Sequence, residues 1–261
     1  MQSYTDLFAQ RGSAYDIAMR RHPRARDAEF QQAVRAGALE PGMLVGDVPA
    51  GGGYLARYLP QGCACLEHEP CASFADHEAA LASLDNVADA GAIPHHGGQG
   101  GALLPLPWGP GLVDALISLA GVHHMQDKRP LFAEMRRVTR QGGRLVLSDV
   151  AEGSAPADFL DGFVGAHNST GHEGAFLSQH TLEELAETGW SVLTARLERF
   201  HWAFPSRAAM ADFCRWLFDI RTAGEVDILA AIERDLGLDD LPDGRIGMRW
   251  SLFTITAENG Q

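Results

Sequence analysis

A run of three glycines, Gly51-Gly52-Gly53, stands between the apolar stretches 43–48 and 54–59. Glycine has no Cβ and adopts positive φ readily, so such a run makes a tight turn whose backbone a ligand can approach closely. The spacing predicts a strand over 43–48, the turn, and a helix over 54–59. A second strand is predicted over 63–67, ending in Glu67-His68-Glu69-Pro70, with a helix over 71–84. Apolar runs at 112–119 and 144–150 read as further strands. They flank an amphipathic helix over 130–139, with Pro130 in its first turn and Gln141-Gly142-Gly143 stopping it. Strands alternating with helices imply a parallel sheet covered on both faces, a doubly wound α/β fold. Residues 85–111, where a third strand belongs, hold many glycines and the pairs Leu104-Pro105 and Leu106-Pro107, and show no β pattern.

The flanks read less regularly. Tyr4, Leu7, Phe8, Tyr15 and Met19 recur near a helical period, with Gly12-Ser13 as an interruption, and a second helix is expected around 28–34. Beyond the fifth strand come a helix over 178–188 capped by Ser178, a strand over 190–200, helices over 206–220 and 225–236, and a final strand over 248–257.

A net charge of −13 argues against a nucleic-acid partner, which needs clustered Lys and Arg. Cys63, Cys65 and Cys71 are spaced C-x-C-x5-C, which fits no common zinc pattern. Cys63 and Cys65 instead read as alternating on a buried strand. His167, His172 and Glu173 lack an identifiable fourth ligand, so no metal is expected. The N-terminal stretch has no apolar core of a signal peptide, and no run reaches the length of a membrane span. The expected location is the cytoplasm, without a membrane partner.

An acid at the end of a second strand can accept hydrogen bonds from both ribose hydroxyls of a nucleoside. Glu69 holds that place, with Glu67 as its rival. The turn leaves a dinucleotide open, since Ala56 can stand at the third fingerprint position. Asp47, just before the turn, would repel a pyrophosphate, whereas near the amino and carboxylate end of S-adenosylmethionine it can hold backbone donors or the ammonium group.

Gly46 to Gly53 resembles the first motif, D-x-G-x-G-x-G, of class I S-adenosylmethionine-dependent methyltransferases, with Pro49 in place of the first glycine. Residues 116–127, ending His123-His124-Met125-Gln126-Asp127, are similar to the family's fourth strand and its H-H-x-x-D continuation. Residues 131–138 and 141–147 are similar to the helix, glycine turn and fifth strand that follow. The resemblance covers about residues 40–150. It implies a Rossmann-like methyltransferase fold: a seven-stranded, mostly parallel sheet with an antiparallel last strand. An N-terminal helical lid over 1–38 would cover a domain over 39–261, with substrate-lid segments around 151–180 and 203–237. It implies S-adenosylmethionine as cofactor, held by Asp47, Pro49, Gly51, Gly53, Glu69, Asp89, Leu119 and His124; Gln99 is the other candidate for the adenine contact given to Asp89. The catalytic candidates are His123, His167 and Tyr15, and the partner is a small-molecule substrate with an O, N or C nucleophile. Two other readings stand beside this one: a non-catalytic protein that binds the same cofactor, and a nicotinamide-dependent oxidoreductase.

Overall fold

The computed structural model of the protein describes residues 4–75 and 102–260. Asp89, Gln99, residues 85–101 of the stretch expected to hold a third strand and residues 76–84 of the helix expected over 71–84 lie outside the described residues, and residues 102–111 form no strand. The chain opens with helices α1 (Tyr4–Arg21) and α2 (Asp27–Gly37), then β1 (Leu44–Asp47) and β2 (Ala64–Glu67). After the gap come β3 (Val113–Leu119), α3 (Arg129–Val138) and β4 (Thr139–Asp149). A broken helical stretch over 155–167 leads to α4 (Gln179–Glu187), β5 (Trp190–Phe204), α5 (Arg207–Leu217), α6 (Glu225–Asp235), β6 (Leu238–Asp240) and β7 (Ile246–Asn259).

The described strands form one sheet in the order β2-β1-β3-β4-β7-β5, with β6 paired to β7. β2, β1, β3 and β4 run parallel, whereas β7 is antiparallel to β4, β5 and β6. Alternate side chains on each strand face opposite layers. Val45, Ile117 and Val146 enter a core shared with α1, α2, the 155–167 stretch, α5 and α6. Leu116, Leu145 and Leu147 enter a second core with α3, α4 and Leu106.

Four local expectations are corrected. The helix expected over 54–59 is a single 3-10 turn, Leu55–Tyr58, and α2 lies across the sheet beside it. Gly12-Ser13 does not interrupt α1, which runs unbroken through both residues. Gly12 is there for close packing, since a Cβ would lie 2.2 Å from Ser73 Oγ. Gln141-Gly142-Gly143 does not end a helix before a separate strand. Pairing jumps from Val113↔Thr139 to Ala115↔Arg144, so these residues form an irregularity inside β4. Cys63 precedes β2, and β2 is only half-buried, so the two cysteines do not alternate on a buried strand. The antiparallel strands β5 and β7 run longer than their apolar patterns suggest, pairing from Trp190↔Asn259 to Phe204↔Ile246.

Candidate active site

The carboxyl ends of β1, β2, β3 and β4 lie along one edge of the sheet, where a doubly wound fold places its ligand crevice. β1 ends at Asp47, and the following turn carries Gly51 at φ +55° and Gly53 at φ +71°. The turn is tied to its neighbours: Val48 N donates to Ile117 O (3.2 Å) and Ala50 N to His68 O (3.0 Å). Glu69 reaches back to this turn. Its Oε2 accepts from Gly51 N (2.9 Å) and from the Tyr4 hydroxyl (2.8 Å), and its Oε1 accepts from Cys71 N (2.9 Å). Glu69 is buried at 3% exposure, and burial pushes its carboxyl up despite these donors.

Asp47 and Glu67 are paired residues on adjacent parallel strands. The Glu67 carboxylate lies against Gly53, where a Cβ would meet its Oε2 at 2.7 Å. Burial, together with the negative charges of Glu67 and Glu69, pushes the Asp47 carboxyl well up. Three acids thus converge beneath the glycine turn, an arrangement that a cationic ligand relieves and an anionic one aggravates.

Aromatic side chains cover the turn. Tyr4, Phe8, Tyr15 and Phe74 join Asp47, Pro49, Gly51 and Leu119 around a cavity of about 40 Å³. That is far below the ~300 Å³ at which cofactor-sized pockets begin. Tyr15 does not present a free hydroxyl. Arg26 Nη1 donates to it at 2.7 Å, and Arg26 also grips Glu29 with Nη2 (2.6 Å) and Nε (2.9 Å). Glu29 in turn accepts from Trp202 Nε1 at 2.6 Å. Burial raises the Tyr15 phenol, with Arg26 opposing, so this residue offers an aromatic wall more readily than a base.

The second half of the site stands on β3 and β4. β4 ends at Asp149, which is fully buried and accepts from Val122 N (2.8 Å), His123 N (3.1 Å) and Val150 N (2.7 Å). His123 Nδ1 lies 2.6 Å from Asp149 Oδ1. Burial alone would raise the Asp149 carboxyl, but His123 and the backbone donors hold it below the usual range. An ionised Asp149 accepts a hydrogen bond from Nδ1–H, and in the neutral imidazole that leaves His123 Nε2 as an acceptor. Asp149 was not singled out from the sequence. Its signal there is an acid ending the apolar strand next to the one that carries the two histidines.

His124 and His172 complete a cluster. The ring centroids of His123 lie 4.0 Å from His124 and 5.5 Å from His172, with 5.5 Å between the latter two. One nitrogen of each lies within 4.8 Å of the others. His172 is anchored by Asp161, Nδ1 to Oδ1 at 2.7 Å. Burial and the charge of His123 lower its imidazole to about 4. Burial, then His123, His172 and Arg11, depress His124 well below the usual range. His124 lines the cavities around His172 rather than the one at the glycine turn. His167 stands apart, its Nδ1 2.8 Å from Thr222 Oγ1. The structure therefore brings together His123, His124 and His172, and not the set His167, His172 and Glu173. Ala175 N donates to His123 O (2.8 Å), which fastens the segment carrying His172 to the end of β3.

The fold is a doubly wound, Rossmann-like sheet, with the acids and histidines gathered at the carboxyl ends of its parallel strands. Residues 46–147 match the family described as a methyltransferase domain. No curated protein matches the chain. Solved structures similar to it include that of the complex between the Haloferax volcanii Trm112 methyltransferase activator and a provisionally assigned methyltransferase, at TM-score 0.60 and 16% identity, covering 99% of this chain and 98% of that one. A provisionally assigned methyltransferase from Bacillus halodurans C-125 has TM-score 0.57 and 16% identity, covering 90% and 100%. Geranyl diphosphate C-methyltransferase from Streptomyces coelicolor A3(2), with Mg2+, geranyl diphosphate and S-adenosyl-L-homocysteine, has TM-score 0.52 and 15% identity, covering 90% and 79%. At such identities the likeness establishes the fold.

Proposed function

We propose that the protein transfers a methyl group from S-adenosylmethionine to a nucleophilic atom of a small molecule. The observation that carries this reading is the trio of acids, Asp47, Glu67 and Glu69, beneath a glycine turn at the carboxyl edge of the sheet. A sulfonium and an ammonium group relieve their mutual repulsion, whereas the pyrophosphate of a nicotinamide dinucleotide increases it. Glu69 would hold the ribose hydroxyls in place of Tyr4, and Pro49, Gly51, Gly53 and Leu119 would form the walls. His124 belongs with the substrate in this reading rather than with the cofactor.

Methyl transfer is an in-line displacement: the nucleophile attacks the methyl carbon, the carbon–sulfur bond breaks, and S-adenosylhomocysteine leaves. A nucleophile bearing a proton would lose it to His123 Nε2, with Asp149 stabilising the imidazolium. That dyad favours catalysis over cofactor storage. His167, bonded to Thr222, keeps at most a peripheral part. No helix among the described residues is long and apolar enough to cross a membrane. The four cysteines are free thiols, which suits the reducing cytoplasm as the proposed location. The test is incubation with methyl-labelled S-adenosylmethionine and a small-metabolite extract. Labelled product that disappears in Asp149→Asn supports the reading. Failure to bind either S-adenosylmethionine or S-adenosylhomocysteine overturns it.

A further inference from the structure

Arg11, on α1 and at 5% exposure, lines the cavity beyond the histidines. Its Nη2 donates to Phe218 O at 3.3 Å, but its Nε and Nη1 have no acceptor among the described residues. A buried guanidinium with open donors calls for an oxygen anion. Burial pulls its proton affinity down, and Asp219 opposes that only in part. The cavity of about 70 Å³ that it lines is walled by Phe8, Trp202, Leu217, Phe218 and Trp250 and opens toward His123 and His172. Next to it, a larger space of about 350 Å³ is bounded by Leu7, His124, Asp161 and His172.

The polar groups are complementary in a specific sense. The His123 and His172 Nδ1 atoms each lie against a carboxylate, Asp149 and Asp161, so in the neutral imidazoles the Nε2 atoms are the ones left to accept. Arg11 supplies unmatched donors. An occupant must therefore offer negative oxygen at one end and a proton at the other, with a flat apolar body between. We propose that the substrate is a small aromatic or similarly flat anion, its carboxylate or phosphate held by Arg11 and its protonated nucleophile facing His123. This rests on the methyl-transfer reading and names the substrate class for it.

Calorimetric titration of the full chain with benzoate, phenyl phosphate and neutral benzamide, in the presence of S-adenosylhomocysteine, tests the proposal. Benzoate or phenyl phosphate should bind at least tenfold more tightly than benzamide, and whichever binds identifies the anion. Arg11→Gln should weaken that binding at least tenfold while S-adenosylhomocysteine affinity stays within twofold. Should Arg11→Gln fail to fold, the three probes on the unaltered protein still decide. Equal binding of the charged and neutral probes, or no binding of either anion by a protein that binds S-adenosylhomocysteine, overturns the proposal. So does a stoichiometric Zn2+ site lost in His123→Ala and His172→Ala, which would give the cavity to a cation. Absence of S-adenosylhomocysteine binding strikes the methyl-transfer reading instead.

Discussion

Tyr4→Phe should tighten cofactor binding while it loosens the protein. Tyr4 donates to Glu69 Oε2 at 2.8 Å in a buried setting, the position a ribose hydroxyl would take. Burial and the charge of Glu69 push the phenol well up, so it stays a donor throughout the working pH range. A hydrogen bond to a charged acceptor contributes about 1.5–3 kcal/mol. Glu69 keeps Gly51 N and Cys71 N when the hydroxyl is removed, so we take about 1–2 kcal/mol as the loss. That loss falls on the covered state alone, because the cofactor displaces Tyr4 in any case. With a factor of ten for each ~1.4 kcal/mol, S-adenosylmethionine affinity should rise about 5- to 30-fold, and the melting temperature without ligand should fall. Isothermal titration and thermal denaturation of the same preparation measure both quantities. Glu69→Ala should act in the opposite sense, weakening S-adenosylmethionine at least tenfold. Unchanged or weaker binding in Tyr4→Phe would refute the idea that Tyr4 and the ribose compete for one carboxylate.

Asp149→Asn should leave cofactor affinity within about twofold and lower turnover by about 10²- to 10⁴-fold, checked once a substrate is in hand; normal turnover would remove His123 from the chemistry. The raised Asp47 carboxyl makes a pH prediction. Its folded pKa exceeds the unfolded one, so the folded state binds the extra proton, and unliganded stability should decline as pH rises above about 4 toward the folded value. A sulfonium offsets the charge that then develops, so the affinity ratio of S-adenosylmethionine to S-adenosylhomocysteine should climb over the same range, as calorimetry at several pH values would show. Gly12→Ala puts a Cβ 2.2 Å from Ser73 Oγ and 3.1 Å from Phe74 N, so despite alanine's helix propensity it should lower the melting temperature and speed proteolysis of α1.

The parallel half of the sheet was legible because its strands are short apolar runs bounded by glycine or acidic residues, a pattern set by local sequence. The placement of Asp47, Gly51, Glu69 and His123 at one edge followed from that alternation. What was not legible depends on contacts distant in sequence. Gly12 reads as a breaker until Ser73 is seen against it. The stretch 54–59 has apolar spacing fit for a helix, yet Leu55 and Tyr54 are drawn into the core beneath α2, and only one turn forms. His167 and His172 look equivalent in a polar segment. Asp161, eleven positions before His172, orients one of them to His123, while Thr222 holds the other away. Arg11 had no neighbours in the sequence to mark it, and Asp149, an acid ending an apolar strand, gains its meaning only once His123 stands against it.

The single turn at Leu55–Tyr58 has a consequence for how the molecule is assembled. Because little helix follows β1, the cover over the glycine turn comes from residues 4–37. These dock on surfaces made much later in the chain: α1 against α5, and α2 against β4, β5 and β7. The aromatic residues of α1 meet Glu69 and Phe74 early, but α1 and α2 are fully seated only once α5, β5 and β7 have formed. Closures across such separations are slow, so binding competence should emerge last on refolding, after the sheet has gained its circular-dichroism signal.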